Sequence, residues 1–252
     1  MKFALVNDQR HEAAPGLSGR CLSCDQAMVA HCGNVKVWHW AHKGRRTCDP
    51  WWENETEWHR TWKGRFPENW QEVIHKDDAG EKHIADVKTD QGWVIEFQHS
   101  HIKPEERRSR DVFYEKIAWV VDGLRRKSDS EKFRCTISNG YYVGNNEHLL
   151  KVRSGGCALL REWSDSNSPI FFDFGDGQYL YWLIFGKPDG WSYVAQFSSI
   201  DFINLHLGNA PDMAREFDEL VADSRRLVGE YESNIRTHAL KGRWWGRFLV
   251  EQ

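Results

Sequence analysis

The sequence predicts an α/β chain with a helix, three strands, a helix and a strand at its centre. A Cys/His-rich module precedes this core and an α+β region follows it. Three observations carry the prediction. Four of the six cysteines fall between Cys21 and Cys48. Alternating apolar and polar residues at His83–Lys88 and Trp93–Gln98 flank a short Gly-containing loop, as in a β-hairpin. Helical apolar spacing appears before this hairpin and again after it. The 252 residues, with 14 Trp, have enough apolar area for more than one buried core.

In residues 1–50, Lys2–Val6 reads as a strand and Pro15–Gly19 as a turn. Asp49–Pro50 reads as a helix start, because Asp caps free backbone N–H groups and Pro fits the first helical position. That helix is expected to run to Lys63, with Trp51, Glu55, Trp58 and Trp62 on one face and Glu55, His59 and Lys63 on an adjoining stripe. Glu57 falls ~200° around it from Glu55. Trp70–Ile74 is a third strand. Pro104 opens a second helix reaching Glu115, and Ile117–Val121 is an apolar strand closed by Asp122–Gly123. Residues 51–127 form the central core on this reading. Ser128–Ser130 is read as a linker, and 128–252 as a separate region with short aromatic strands in Phe171–Phe197 and a helix from Ala210-Pro211 to Tyr231. Lys241–Arg247 mixes basic residues with Trp244 and Trp245.

Charge and composition narrow the function classes. The formal net charge is −3, which argues against non-specific coating of nucleic acid but leaves room for one basic face. No run of 18 apolar residues marks a membrane span. Asp8, Arg10, His11 and Glu12 interrupt any apolar leader, so a cytoplasmic location is expected. There, clustered cysteines favour metal binding over disulfides. Cys21-Leu22-Ser23-Cys24 is a CxxC. Two further ligands from His39, His42 and Cys48 would complete a tetrahedral zinc site, with Cys32 left as a bystander. A redox pair or buried free thiols are the alternative, although no thioredoxin-like βαβ pattern surrounds the CxxC.

The hairpin carries the chemistry. A three-residue Asp90-Gln91-Gly92 loop sets Thr89 opposite Trp93 and therefore Asp86 opposite Glu96. Gln98 shares the face of Glu96, while Ile95 and Phe97 point into a core. Opposed carboxylates repel unless a cation lies between them, and hard oxygen ligands suit Mg²⁺ or Mn²⁺. A metal held by Asp86 and Glu96 would activate water and neutralise a phosphate under attack, with Gln98 orienting the water. A solvated polar hairpin face is the plainer alternative.

The segment HIADVKTDQGWVIEFQHSHIKPEERRSRDVFYEKIAWVVDG resembles the nuclease core of competence protein CoiA-like proteins, within the PD-(D/E)XK nuclease superfamily. Asp86 matches that superfamily's Asp and Glu96 its Glu. Gln98 stands at the usual Lys position, as in CoiA-like proteins. The stretch ENETEWHRTWK resembles the family's helical Glu, His and Lys motif at Glu55, His59 and Lys63. The CxxC before WHWAH is similar as well. The resemblance spans roughly residues 1–125. It implies an αβββαβ core, metal assistance from Glu55, and substrate contacts from His59, Lys63, Arg107, Arg110 and Tyr114 beside the active site. The implied activity is metal-dependent phosphodiester hydrolysis of DNA in a competence, repair or defence context. An inactive nucleic-acid-binding or partner-binding module would use the same residues, although decay would be expected to cost at least one carboxylate. An RNA-processing nuclease would also share the site.

Overall fold

A computed structural model describes residues 1–252 other than 45–47, 52, 54, 79, 145, 188–189, 210–216 and 249–252, with the backbone alone at 146–147 and 236–248. The fold is mixed α/β and divides into two compact units, Met1–Arg125 and Arg126–Gln252.

The first unit begins with a five-stranded sheet: β1 (Phe3–Val6), β2 (Gln9–Glu12), β3 (Ser18–Arg20), β4 (Ala27–His31) and β5 (His39–His42), in spatial order β2-β1-β3-β4-β5. Asn7 and Asp8 both take positive φ, 51° and 62°, in the two-residue turn that joins β1 to β2. Such a turn matches the twist of the paired strands, and Asn and Asp tolerate it. Gly19 is required by packing, since a Cβ there would lie 2.8 Å from the Leu5 carbonyl and 3.3 Å from the Trp40 ring. Ala4, Cys21, Met28 and Trp40 form the core of this sheet.

The segment after this sheet departs from expectation. The helix α1 spans Glu57–Lys63 and does not start at Asp49–Pro50. Its cap is Thr56, whose hydroxyl accepts from the His59 N–H while the His59 ring reaches back to the Thr56 backbone. Asp49 is committed elsewhere. Its carboxylate accepts the Trp51 N–H at 2.9 Å and the Ile84 N–H at 3.0 Å, making a turn and a tether to the neighbouring strand. Trp51 and Glu55 therefore precede the helix. Trp51 stacks on His83, with ring centroids 3.3 Å apart, whereas Trp58 and Trp62 pack on Phe97 as helical spacing requires.

Three antiparallel strands follow: β6 (Gln71–Lys76), β7 (Lys82–Lys88) and β8 (Val94–Gln98). Then come α2 (Pro104–Tyr114) and β9 (Ile117–Asp122). The strands of this unit lie in the order β9-β8-β7-β6, with β9 parallel to β8 and Glu96 beside Trp119. A parallel pair needs a crossover, which α2 supplies. The β7–β8 loop closes as its sequence predicts. Gly92 takes φ 82°, and Thr89 accepts from Gly92 while donating to Trp93.

The second unit contains α3 (Asp129–Ser138), β10 (Tyr141–Val143), β11 (Asn146–Arg153), α4 (Ala158–Trp163), β12 (Ile170–Asp173), β13 (Tyr179–Phe185), β14 (Trp191–Ser198), α5 (Ser199–Leu207) and α6 (Phe217–Phe248). Its strands are antiparallel in the order β10-β11-β14-β13-β12. The expected linker at Ser128–Ser130 is instead the start of α3, with Asp129 buried and ion-paired to Arg126. The expected helix start at Ala210-Pro211 lies outside the described residues. That helix also passes Tyr231 and carries Lys241–Arg247 on its backbone path. Among the described residues, no helix is long and apolar enough to cross a membrane.

Candidate metal centres

Cys21, Cys24, His42 and Cys48 converge, with one candidate ligand atom from each lying within 4.8 Å of all the others. The CxxC is bent into a knuckle by two backbone bonds, Cys21 N–H to Gln26 and Asp25 N–H to Cys21. The Cys21 and Cys48 sulfurs are 3.9 Å apart, and His42 Nε2 lies 3.3 Å from Cys24 Sγ and 3.5 Å from Cys48 Sγ. A tetrahedron with metal–sulfur bonds of ~2.3 Å has sulfur–sulfur edges of ~3.8 Å. The cluster can therefore hold a structural zinc ion.

Burial, and then the neighbouring Cys21, push the Cys48 thiol up to about 12, and burial raises Cys21 as well. In the absence of a cation this crowding favours the neutral thiols. His39 is not a ligand. Three residues before His42 on β5, it faces the other side of the strand, where it stacks on His31 and sits 2.8 Å from the Val37 carbonyl. Cys32 packs against the apolar core of the sheet and stays outside the cluster.

Among the described residues, only the Cys/His cluster brings three or more candidate ligand atoms within 4.8 Å of one another. The second group of expected site residues surrounds a cavity of about 60 Å³. Glu55, Asp86 and Glu96 line it, together with Asp49, Glu53 and Glu72. The hairpin register does bring Asp86 and Glu96 together. Val87 pairs with Ile95, and one step further the carboxylates replace the ladder. The Asp86 N–H donates to Glu96 Oε1 at 3.2 Å, and the Phe97 N–H donates to Asp86 Oδ2 at 3.0 Å. Burial, then Asp86, push the Glu96 carboxyl up to about 8, and burial raises Asp86 also. Both carboxyls therefore resist ionising in this cavity.

The cationic residues of the cavity are internal counter-ions. Lys63 is 3% exposed, with Nζ 2.6 Å from Glu55, 3.1 Å from Glu72 and 3.7 Å from Asp86. Burial opposes its charge, but these carboxylates outweigh burial and raise its pKa. Arg110 donates to Glu96 Oε2 at 3.0 Å and also engages Glu106 and the Trp51 carbonyl. Glu55 Oε1 is 2.8 Å from Arg60 Nε, whereas its Oε2 is buried and has no hydrogen-bond partner among the described residues. Glu55 reaches the cavity from the segment before α1 and not from the helix as expected.

Other expected site residues are placed differently. Gln98 is buried on β8, but its amide donates to Glu53 Oε2 at 2.9 Å and to the Ser100 carbonyl at 3.1 Å. It does not line the cavity beside Glu96. His59 is buried, with Nδ1 2.9 Å from Thr56 Oγ1 and Nε2 3.6 Å from Glu53. Arg107 and Tyr114 are buried on α2, and Tyr114 packs edge-on to Trp51. Burial raises the Tyr114 phenol above its ordinary value.

Sequence reading missed Glu53, Asp49 and Glu72. Glu53 gathers His59, Gln98 and the Ser100 N–H. Burial opposes its charge, but the hydrogen bonds from His59 and Ser100 hold the carboxyl below its ordinary value. The one available signal was the alternation Glu53, Glu55, Glu57, which is extended in period. Glu72 accepts the Lys2 and Phe3 N–H groups at 2.6 and 3.0 Å. Burial opposes its charge too, but Lys63 and those donors hold it down at about 2.

Compared with known proteins, the chain matches no protein-family model, no curated protein and no solved structure.

Proposed function

We propose that the chain is a divalent-metal-dependent nuclease of the PD-(D/E)XK, CoiA-like kind, hydrolysing phosphodiester bonds in DNA. A competence, repair or defence role would suit it, and the Cys/His cluster would hold a structural zinc. The observation that carries this reading is the meeting of Asp86 and Glu96 across the parted β7–β8 pair, with an unpartnered oxygen of Glu55 in the same cavity. Six carboxylates line that cavity against Lys63, Arg110, His59 and the Met1 ammonium, so acid groups remain the more numerous.

Asp86, Glu96 and Glu55 would hold Mg²⁺ or Mn²⁺, which when bound supplies Lewis acidity and lowers the pKa of water. Lys63 keeps its proton at Nζ and fixes Glu55 and Asp86 from behind. Arg110 orients the Glu96 carboxylate through Oε2. Gln98 would act on the site only through Glu53, the cavity-lining carboxylate that its amide holds. With Lys absent at position 98, no ammonium acts there as an acid.

One observation favours a second reading. Lys63 and Arg110 already neutralise part of the acidic set, so the site can stand without metal as an inactive nucleic-acid-binding module. Labelled single- and double-stranded DNA and RNA, incubated with the protein and Mg²⁺ or Mn²⁺, decide between them. Metal-dependent cleavage is expected, and loss of it in Asp86→Ala by at least a hundredfold. The metal-free melting temperature of that variant should hold or rise as carboxylate repulsion is relieved, while metal should raise the melting temperature of the wild type alone. Undiminished cleavage by Asp86→Ala would sink the nuclease reading, and binding without cleavage would favour the second one.

A further inference from the structure

A second cavity, of about 570 Å³, lies within the Arg126–Gln252 unit between α6 and the adjoining ends of β13 and β14. Small-molecule sites occupy roughly 300–1,000 Å³. The carboxylate chemistry described above makes no use of this cavity.

Three features define what would fit. One wall is aromatic. Phe185 is 45% exposed, Tyr193 is buried, and the Trp191 ring is fixed by the Arg153 guanidinium 4.2 Å from its centroid. The charge of the cavity is unbalanced. Its carboxylate, Glu232, is engaged by Lys151 at 2.8 Å and by the Tyr193 hydroxyl. Lys187 and Arg225 stand at the rim, and among the described residues neither pairs with a carboxylate; Arg225 donates to the Asn167 carbonyl.

The third feature is Gly229, in the interior of α6 and on the face that Arg225, Val228 and Glu232 present to the cavity. Glycine weakens a helix interior. A Cβ at Gly229 would meet nothing within 4 Å, so no neighbour requires its absence. What the glycine provides is open space.

We propose that this cavity binds a nucleotide, its base stacked on the Phe185–Trp191 wall and its phosphate held by Lys187 and Arg225. A purely apolar ligand would leave the two cations unused, and a simple anion would leave the aromatic wall unused. Stacking on aromatic side chains is tolerant of base identity, so the wall selects for a flat ring and not for one base. The nucleotide is either free or part of a single strand, and the two sources share this chemistry.

Titration calorimetry on the full chain, without divalent metal, tests the assignment. The probes are deoxyadenosine monophosphate, deoxyadenosine, inorganic phosphate and a short oligodeoxynucleotide. The monophosphate should bind at least tenfold more tightly than deoxyadenosine or phosphate. Phe185→Ala should weaken it about tenfold, and Arg225→Glu and Gly229→Phe should abolish it. Gly229→Ala should keep binding and melt higher, which separates a filled cavity from a damaged helix. Oligonucleotide binding without monophosphate binding, lost in the same variants, supports the site with a strand as the source. Absence of binding by both, or binding undiminished in Arg225→Glu and Gly229→Phe, overturns the proposal.

Discussion

At the scale of single residues, Lys63 governs the electrostatics of the carboxylate cavity. Its ammonium touches Glu55, Glu72 and Asp86 and is itself only 3% exposed, with the Asp86 side chain at 25% the one partner that reaches water. Removing one partner of a buried ion pair leaves the other uncompensated, at a cost of ~3–5 kcal/mol. Lys63→Met should therefore lose about that much in urea unfolding, while Lys63→Arg should lose less. A Lys63→Met variant as stable as the wild type would contradict this account. The pairing of Asp86 with Glu96 was legible in the sequence because a three-residue glycine loop fixes register without tertiary information. The part played by Glu53 was not, because its contacts to Gln98 and Ser100 span 45 and 47 positions and leave no local pattern.

At the scale of elements, the order helix, three strands, helix, strand could be read from periodicity, and the start of α1 could not. Two residues competed for the cap. Asp49-Pro50 carries the stronger local signal, yet its carboxylate is drawn to Ile84 and His83 on β7, and Thr56 with His59 takes the helix. Thr56→Ala should cost ~1 kcal/mol of stability. Asp49→Ala should leave the amide protection of 57–63 unchanged in hydrogen exchange, whereas a helix beginning at Asp49 would lose it. In the second unit, α5 carries a buried histidine whose titration bears on stability. His206 is fully buried between the rings of Phe202 and Phe217, and burial pulls its pKa down to about 4. The unfolded imidazole titrates near 6.5, so between that value and about 4 the unfolded chain binds more protons. Stability is complete above pH 6.5 and should fall by on the order of 3 kcal/mol as pH drops to 4. His206→Phe should flatten that part of the profile, and an unaltered profile would rule the histidine out as its source.

At the scale of the whole molecule, metal is expected to act as part of the fold in the first unit. The protein should carry about one zinc per chain, and chelation should raise hydrogen exchange across β3, β4 and β5. His42→Ala should lose the metal and His39→Ala should keep it. The reverse result would contradict the strand alternation that separates them. The Cys/His cluster was readable because ligand spacing is local. The α6 cavity was not, since its walls come from segments up to 67 positions apart, from Ser166 to Ser233, and its aromatic residues read singly as ordinary core. Glu72 has a further consequence, for how this chain can be cut and shared. Its carboxylate satisfies the amides of Lys2 and Phe3 on one side and the ammonium of Lys63 on the other, from a backbone held at φ 47°. A fragment beginning after residue 50 would carry this buried anion with two of its donors gone, so the strands of the carboxylate site cannot be borrowed as a cassette. Gene fusions and truncations that respect the first 125 residues should be inherited intact, and those that divide them should not.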